Sequence, residues 1–199
     1  MSLKDIVGQD RAIRLLHSMI GKDEIDGSYL FVGPMGVGKR TLSIEFAKAI
    51  NCEKKELDAC EECISCGKIK SLNHPDLFII QKEKESSFIK IDRIRDIIYQ
   101  ASLKPYEARK KIFIIIEAED MNEESQNALL KILEEPRENQ VFILTTSAVS
   151  GILPTVISRC KAVKFNLLSQ AQIQELLIKR HGFNEGEAVL FSHMALGSH

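Results

Sequence analysis

One stretch decides how this chain folds: Gly33-Pro34-Met35-Gly36-Val37-Gly38-Lys39-Arg40-Thr41. It follows a short apolar run at residues 29–32 and opens a segment with helical periodicity, as a turn between a buried strand and a helix does. In that context the glycines let backbone N–H groups hold phosphate oxygens at the helix N-terminus, and Lys39 reaches the β- and γ-phosphates. A glycine-rich turn without a ligand is the alternative. The lysine and its context favour a nucleotide-binding loop, called the phosphate loop below.

The residues that should bind Mg²⁺ are altered at two places. Arg40 stands where a serine or threonine hydroxyl is expected, and Thr41 lies roughly 100° further around the helix. The strongest predicted strand should end in the two acids of a Walker B motif, but it ends in Ile116-Glu117, so only the water-activating acid remains. Because Mg²⁺ requires oxygen ligands and phosphoryl transfer depends on it, we predict no Mg²⁺ site and no ATP hydrolysis. Binding of ATP or ADP without hydrolysis stays open, since Lys39 and the backbone N–H groups remain.

Apolar runs and helical periodicity outline the rest of the chain. Strands are predicted at residues 29–32, 76–80, 111–116 and 141–145. Amphipathic helices are predicted at residues 5–20, 41–51, 91–103, 123–133 and 170–180. Strands that alternate with helices indicate an α/β fold with a parallel sheet that is covered by helices on both faces.

Four of the five cysteines, Cys52, Cys60, Cys63 and Cys66, lie within 15 residues in the pattern C-x7-C-x2-C-x2-C. Four thiolates at such spacings can close a tetrahedral shell around a structural Zn²⁺. An iron–sulfur cluster is the rival, but the usual trailing Cys-Pro is absent and one ligand lies upstream. A reducing cytosol argues against disulfides. We therefore predict one bound Zn²⁺, whereas Cys160 is expected to be a small buried residue.

The composition is that of a globular protein, with 44% apolar and 28% charged residues in a chain of 199. The net charge is −1, and proteins that hold DNA mainly by their own phosphate contacts carry a basic excess. Any nucleic-acid contact is therefore expected to be local or shared with partner subunits. No apolar run approaches the roughly 20 residues of a membrane span, and the N-terminus lacks an apolar signal core. We expect a cytoplasmic protein without membrane contact.

Several motifs occur in an order that is typical of one family. Besides the phosphate loop and the cysteines, they are Val7-Gly8-Gln9, His74-Pro75-Asp76, Ile91-Asp92-Arg93-Ile94-Arg95, Asn127-Ala128-Leu129-Leu130-Lys131-Ile132-Leu133-Glu134-Glu135-Pro136 and Ser158-Arg159-Cys160. The chain thereby resembles the AAA+ clamp-loader subunits of bacterial DNA polymerase III over essentially its whole length. The resemblance implies a P-loop AAA+ domain at 1–166, with a zinc-binding insert at about 52–66. It also implies the start of a small helical lid domain at 167–199.

The resemblance has further consequences for the ends of the chain and for its subunit type. A collar domain of complete family members would be absent, so we interpret the sequence as an N-terminal fragment. Within the family, the motor subunits (gamma/tau) keep intact metal-binding residues, while the delta-prime subunit has lost them and keeps the Ser-Arg-Cys motif. Because this sequence departs from the motor pattern at Arg40 and Ile116, it resembles the delta-prime type.

The same resemblance implies roles for two residues that spacing alone leaves undecided. Arg159 would be an arginine finger that reaches the ATP of a neighbouring motor subunit, although a loop arginine is otherwise a solvated charge. Thr146 would be the sensor-1 residue, although a polar strand end explains it equally well. The polar face of the helix that contains Asn127 would lie near a partner or DNA.

We therefore expect a delta-prime-like subunit that helps to load the sliding clamp onto primed DNA. Its expected partners are the other subunits of the complex (gamma/tau and delta), the clamp and the DNA. The alternative is a gamma/tau-type motor in which Lys39 and Glu117 suffice for hydrolysis. A phosphate-loop kinase is set aside because no acceptor-substrate site is evident and residues 127–136 would go unexplained.

Overall fold

The computed structural model describes residues 1–54 and 56–197 and shows a single five-stranded sheet among them. The strands are β1 (Gly27–Val32), β2 (Leu77–Ile80), β3 (Lys111–Ile115), β4 (Gln140–Thr146) and β5 (Lys161–Lys164). All neighbours pair in parallel, in the order β2-β3-β4-β1-β5. The last two residues of the predicted lid, Ser198 and His199, lie outside the described part.

Helices connect the strands and cover both faces of the sheet. They are α1 (Asp10–Gly21), α2 (Lys39–Asn51), α3 (Ile64–Lys70), α4 (Ile91–Ser102), α5 (Glu123–Glu134), α6 (Pro154–Ile157), α7 (Gln170–His181) and α8 (Glu185–Gly197). The fold class predicted from the sequence, a parallel sheet flanked by helices, is confirmed. Among the described residues, no helix combines the length and apolarity that crossing a bilayer requires.

The two cores of the domain lie on opposite faces of the sheet. On one face, Ile112 and Ile114 of β3 belong to an apolar cluster with residues of α1 and α2. On the other face, Phe113 belongs to a cluster with residues of α4 and α5, and its ring stacks on those of Phe78 and Phe142 at centroid distances of 5.2 and 4.8 Å. All residues of β3 and β4 are buried, as in parallel sheets that helices cover on both sides.

Five elements differ from the sequence-based prediction, and one of them is the short helix α6, which was not predicted. Strand β5 was not predicted because Val163 is its one buried residue and lysines stand at both ends of the strand. Helix α3 was not predicted inside the cysteine segment, nor was α8 near the C-terminus. Helix α1 begins at Asp10 rather than at residue 5, because a 3₁₀ turn precedes it and Gly8 has a φ of +79°, which an α-helix does not accommodate.

A buried carboxylate fixes the loop that leads into β3. Asp76 accepts hydrogen bonds from the backbone N–H groups of Tyr106, Glu107 and Ala108 at 2.7, 2.8 and 2.9 Å. The carbonyl of Asp76 also accepts the N–H of Ile112, the second residue of β3. This one residue therefore joins the start of β2, the loop and the strand beside it.

Replacing Asp76 by alanine should lower the free energy of unfolding by about 3 kcal/mol, because three backbone N–H groups lose a charged acceptor. Denaturant unfolding followed by circular dichroism measures the change. Asp96→Ala, at an exposed position of α4, is the control and should change the same free energy by less than about 0.5 kcal/mol. Equal effects of the two substitutions would contradict the anchoring role of Asp76.

Candidate functional site

The phosphate loop lies at the carboxyl end of β1, where α2 begins. Gly38 caps α2 with a φ of +93°, a left-handed conformation that glycine adopts without strain. Gly33 lies so close to the chain after β5 that a Cβ atom there would be 2.6 Å from the Cβ atom of Phe165. The N–H of Gly33 also donates to the carbonyl of Thr146 at 3.2 Å. The loop therefore has the strand-turn-helix geometry that the sequence predicts.

Lys39 folds back onto its own loop. Its Nζ atom donates to the carbonyl oxygens of Gly33 and Pro34 at 2.5 and 2.6 Å, and the residue is only 8% exposed. Burial lowers the pKa of Lys39, while the charges of Glu119 and Glu117 act in the opposite direction. The lysine of a phosphate loop binds phosphate, whereas the ammonium group of Lys39 is hydrogen-bonded to two backbone carbonyls here.

Gln9 fastens the phosphate loop to the segment that follows β5. Its Nε2 atom donates to the carbonyls of Val37 at 3.3 Å and Asn166 at 2.9 Å, and its Oε1 atom accepts the N–H of Asn166 at 3.1 Å. A Cβ atom on the preceding Gly8 would lie 2.3 Å from Cδ2 of Leu168, so the Leu168 side chain would have to move, and the φ of +79° also favours glycine. The sequence shows the motif at residues 7–9 but not this contact, which joins positions 157 residues apart.

Position 116, where a metal-binding acid is expected, carries the apolar side chain of isoleucine. Ile116 directly follows β3, is 9% exposed and belongs to the same apolar cluster as Val37 of the phosphate loop. Glu117 comes next in a left-handed conformation, with a φ of 52°, and its N–H donates to Thr145 Oγ1 at 3.0 Å. Arg40 is exposed and lines a groove along β2.

Glu119 and Thr146 lie at the same edge of the sheet. Thr146 is buried at the end of β4, and its Oγ1 atom accepts the N–H of Ala148 at 3.1 Å. The Glu119 carboxylate accepts the N–H and the hydroxyl of Ser147 at 2.8 and 2.6 Å. Burial raises the pKa of Glu119, but the hydrogen bonds from Ser147 outweigh burial, so this pKa is below its usual value. Sequence reasoning missed Glu119, whose partner is 28 residues away.

Arg159 lies apart from the phosphate loop. It follows α6 and precedes β5, which places it toward the amino edge of the sheet, whereas the loop is at the carboxyl edge. Its Nε and Nη2 atoms donate to Glu134 Oε2 at 3.1 and 2.8 Å, and its Nη1 atom donates to the carbonyl of Thr155 at 2.9 Å. The structure thus brings together the loop, Glu117 and Thr146, but not Arg159.

The four clustered cysteines converge in space. The sulfur atoms of Cys52, Cys60, Cys63 and Cys66 all lie within 4.8 Å of one another. Cys52 and Cys66 are buried, and the other two are half-buried. Backbone N–H groups donate to three of the sulfurs at 3.4 Å. Hydrogen bonds from backbone N–H groups lower the pKa of Cys60 to about 7, which favours the thiolate that binds metal. The four cysteines could hold a metal ion. Cys160, predicted to be buried, is half-buried and packs against the core that contains Phe113.

The cysteine module, residues 52–66 apart from residue 55, also binds the amino-terminal segment. Asp58 accepts the N–H groups of Leu3 and Lys4 at 2.9 and 3.2 Å. Glu61 pairs at 2.6 Å with Lys48, a buried lysine of α2. The module is therefore attached both to α2 and to the segment that leads to Gln9.

The sheet order and the phosphate loop after β1 define a class of fold. The structure is similar to a RuvB Holliday junction branch migration motor of Thermotoga maritima, with a TM-score of 0.64 and 15% identity over 96% of this chain and 58% of that chain. It is also similar to a DNA polymerase III gamma subunit-related protein of Thermotoga maritima, with a TM-score of 0.59 and 24% identity over 84% of this chain and 49% of that one. The domain is a P-loop domain of the AAA+ type.

The family model for DNA polymerase III, delta subunit, matches residues 8–169, and the chain belongs to this family. It is 36% identical over 172 residues to DNA polymerase III subunit delta' of Bacillus subtilis, a match that covers 86% of this chain and 52% of the relative. It is 35% identical over 171 residues to subunit tau of the same organism, over 85% of this chain and 30% of the relative. The chain thus spans about half or less of the length of these relatives. The resemblance seen in the sequence is confirmed.

Replacing Cys66 by serine should remove the metal and lower the thermal unfolding midpoint, because the tetrahedral shell loses one of its four ligands. Elemental analysis should find one metal ion per chain in the unaltered protein and well below one in the variant. Cys160→Ser is the control and should retain the full metal content. Equal metal content in the two variants would exclude the proposed ligand set.

Proposed function

We propose that this chain is part of a clamp-loader subunit of bacterial DNA polymerase III, of the delta-prime type. In this proposal its own phosphate loop does not hydrolyse ATP, and Arg159 acts on the ATP of a neighbouring subunit. The observation that carries the proposal is the separation of the two halves of an ATPase site within one chain. The loop lies at one edge of the sheet without metal ligands, and the arginine lies toward the other edge.

The loss of hydrolysis follows from the chemistry around the loop. Ile116 offers no oxygen and is part of the core, and Arg40 offers donors only. Without Mg²⁺ the charge of a transferring phosphoryl group is not neutralised. Glu117 and Thr146 keep the positions of the water-activating acid and of sensor 1, but they have no metal-bound phosphate to act on. ATP or ADP can still bind where Lys39 leaves the carbonyls of its own loop.

Geometry supports an action of Arg159 in trans. Lys161 of β5 pairs with Tyr29 of β1, and the phosphate loop begins four residues further along at Gly33. At roughly 3.3 Å per residue, this offset alone is about 13 Å, and Arg159 lies a further two residues back. Its guanidinium group also turns toward Glu134 of α5. An always-charged planar guanidinium suits the stabilisation of phosphate charge in an adjacent subunit.

We assign the metal as a structural Zn²⁺. Four cysteine sulfurs form a closed set of ligands with no position for a substrate or water, which is the arrangement of structural zinc sites. One colourless ion per chain is the expected result of metal analysis. A brown chromophore would instead indicate an iron–sulfur cluster.

The remaining parts of the proposal rest on membership of the family. We divide the chain into an AAA+ domain at residues 1–166 and the start of a lid domain at 167–199. The proposed partners are gamma/tau and delta subunits, with the sliding clamp and primed DNA reached through the assembled complex in the cytoplasm. The 35% identity to a tau subunit supports the second candidate, a gamma/tau-type motor that hydrolyses ATP itself.

ATP turnover separates the two candidates. The full-length subunit, purified alone, should show no steady Mg²⁺-dependent ATP hydrolysis above the rate of its Lys39→Ala variant. Steady turnover that this variant abolishes would favour the motor. Calorimetry with and without Mg²⁺ measures nucleotide binding separately, so that binding is not mistaken for hydrolysis.

Replacing Arg159 by alanine should reduce the clamp- and DNA-stimulated ATP hydrolysis of the reconstituted complex by at least about 100-fold, since arginine fingers contribute about 10³–10⁵. Size-exclusion chromatography should show that assembly is intact. Arg137→Ala, at an exposed arginine between α5 and β4, is the control and should leave hydrolysis unchanged. Unchanged hydrolysis in the Arg159 variant would falsify the finger role.

A further inference from the structure

The hydrogen bonds of Arg159 leave a defined part of its guanidinium group free. A guanidinium has five N–H groups. Two of them, on Nε and Nη2, point to a single oxygen of Glu134, and one on Nη1 points to the carbonyl of Thr155. One N–H on Nη1 and one on Nη2 remain. When the carbonyl of Thr155 takes the Nη1 N–H on the Cδ side, the two that remain form the end-on fork with which arginine binds phosphate at two points.

The backbone around Glu134 is fixed to the rest of the domain. Leu133 is buried in the core, and its carbonyl accepts the hydroxyl of Ser28 in β1 at 3.2 Å. The other end of α5 is held through Gln126, whose side chain donates to the carbonyl of Gly151 at 2.9 Å and accepts the N–H of Leu153 at 2.8 Å. The helix that carries Glu134 is thus joined to β1 and to the segment that begins α6.

The backbone around Arg159 is fixed as well. Val156 of α6 is fully buried in the same core as Leu133. The N–H of Arg159 donates to the carbonyl of Val156 at 3.1 Å. Two anchored backbones therefore present their side chains to each other. The Arg159 side chain is half-buried, at 27% exposure, whereas that of Glu134 is exposed, at 57%.

Two adjacent glutamates end α5, and they differ in their contacts. Glu134 makes the contact with Arg159. The carboxylate of Glu135 has no hydrogen bond or ion pair with any residue that the structure describes, and it is exposed. Both glutamates contribute the same charge to this end of the helix. An effect that is specific to Glu134 would therefore come from its contact with Arg159 and not from charge in general.

We infer that Glu134 is a positioning residue for Arg159: it holds the guanidinium on one edge so that the remaining fork points outward to the nucleotide of an adjacent subunit. This inference rests on the finger role proposed above. Without Glu134, the Arg159 side chain would sample several rotamers, and each turnover would have to restrict it to the one that reaches the nucleotide. The loss would appear in the rate of hydrolysis rather than in the affinity of the neighbouring subunit for ATP, because that subunit's own loop binds the nucleotide.

The test uses the full-length subunit in the reconstituted complex, with clamp and primed DNA. Glu134→Ala should lower kcat of the stimulated ATP hydrolysis about tenfold and leave KM for ATP unchanged. Glu134→Gln, whose amide oxygen can still accept one N–H, should lower kcat by less. Glu135→Ala is the matched control, one residue away and of equal charge, and should leave both constants unchanged.

A second measurement follows the guanidinium itself. The ¹⁵N spectrum of the 199-residue chain should contain an Arg159 Nε–H signal that exchanges slowly with water. Glu134→Ala should lose that slow exchange, and Glu135→Ala should keep it. Slow exchange that persists in the Glu134→Ala variant would show that this carboxylate does not hold the guanidinium, and the inference would be wrong.

The outcomes separate this inference from the proposed function. If Arg159→Ala abolishes hydrolysis but Glu134→Ala leaves kcat unchanged, the finger role stands and the positioning role is overturned. If Glu134→Ala raises the hydrolysis rate, Glu134 restrains the arginine instead of presenting it, and the inference is overturned. If Arg159→Ala itself has no effect, the proposed function fails and the inference fails with it.

Discussion

Burial of β3 and β4 on both faces is the constraint on which the rest of this structure depends. Because all side chains of these two strands are buried, helices must cover the sheet on both sides. Crossover connections through those helices let the neighbouring strands run in parallel. A parallel sheet collects all carboxyl ends at one edge and all amino ends at the other. The phosphate loop, Glu117 and Thr146 share the first edge, while Arg159 lies toward the second.

Local patterns in the sequence were sufficient to predict the elements whose own residues determine them. The apolar run of β3, the glycines around Lys39 and the spacing of the cysteines each carry their own signal, and the structure shows the strand, the loop and the convergent sulfurs. Strand β5 carried no such signal. Its lysines are exposed to solvent, so the strand has no apolar run. It forms because it pairs with β1, a contact that its own residues do not reveal.

Contacts between distant residues explain what the sequence could not predict about the candidate site. Gln9 has its partner Asn166 157 positions away, and Glu134 finds Arg159 25 positions away. No periodicity connects such pairs, since periodicity reports only which side of one element is buried. That the side chain at position 116 carries no oxygen was visible in the sequence, whereas its packing in the same cluster as Val37 was not. Because Ile116 contributes to the core, an acid at this position would cost stability.

The pairing of β1 has a consequence for the order in which the site is completed as the chain is synthesised. Strand β1 is made before β4 and β5 but lies between them in the sheet. Until residues 140–146 have left the ribosome, β1 has no neighbour, and until residues 161–164 have followed it has only one. The loop after β1 first gains the carbonyl of Thr146 and only then the packing of Phe165. The phosphate loop is therefore synthesised early, but its contacts with the sheet can form only after most of the domain has been made.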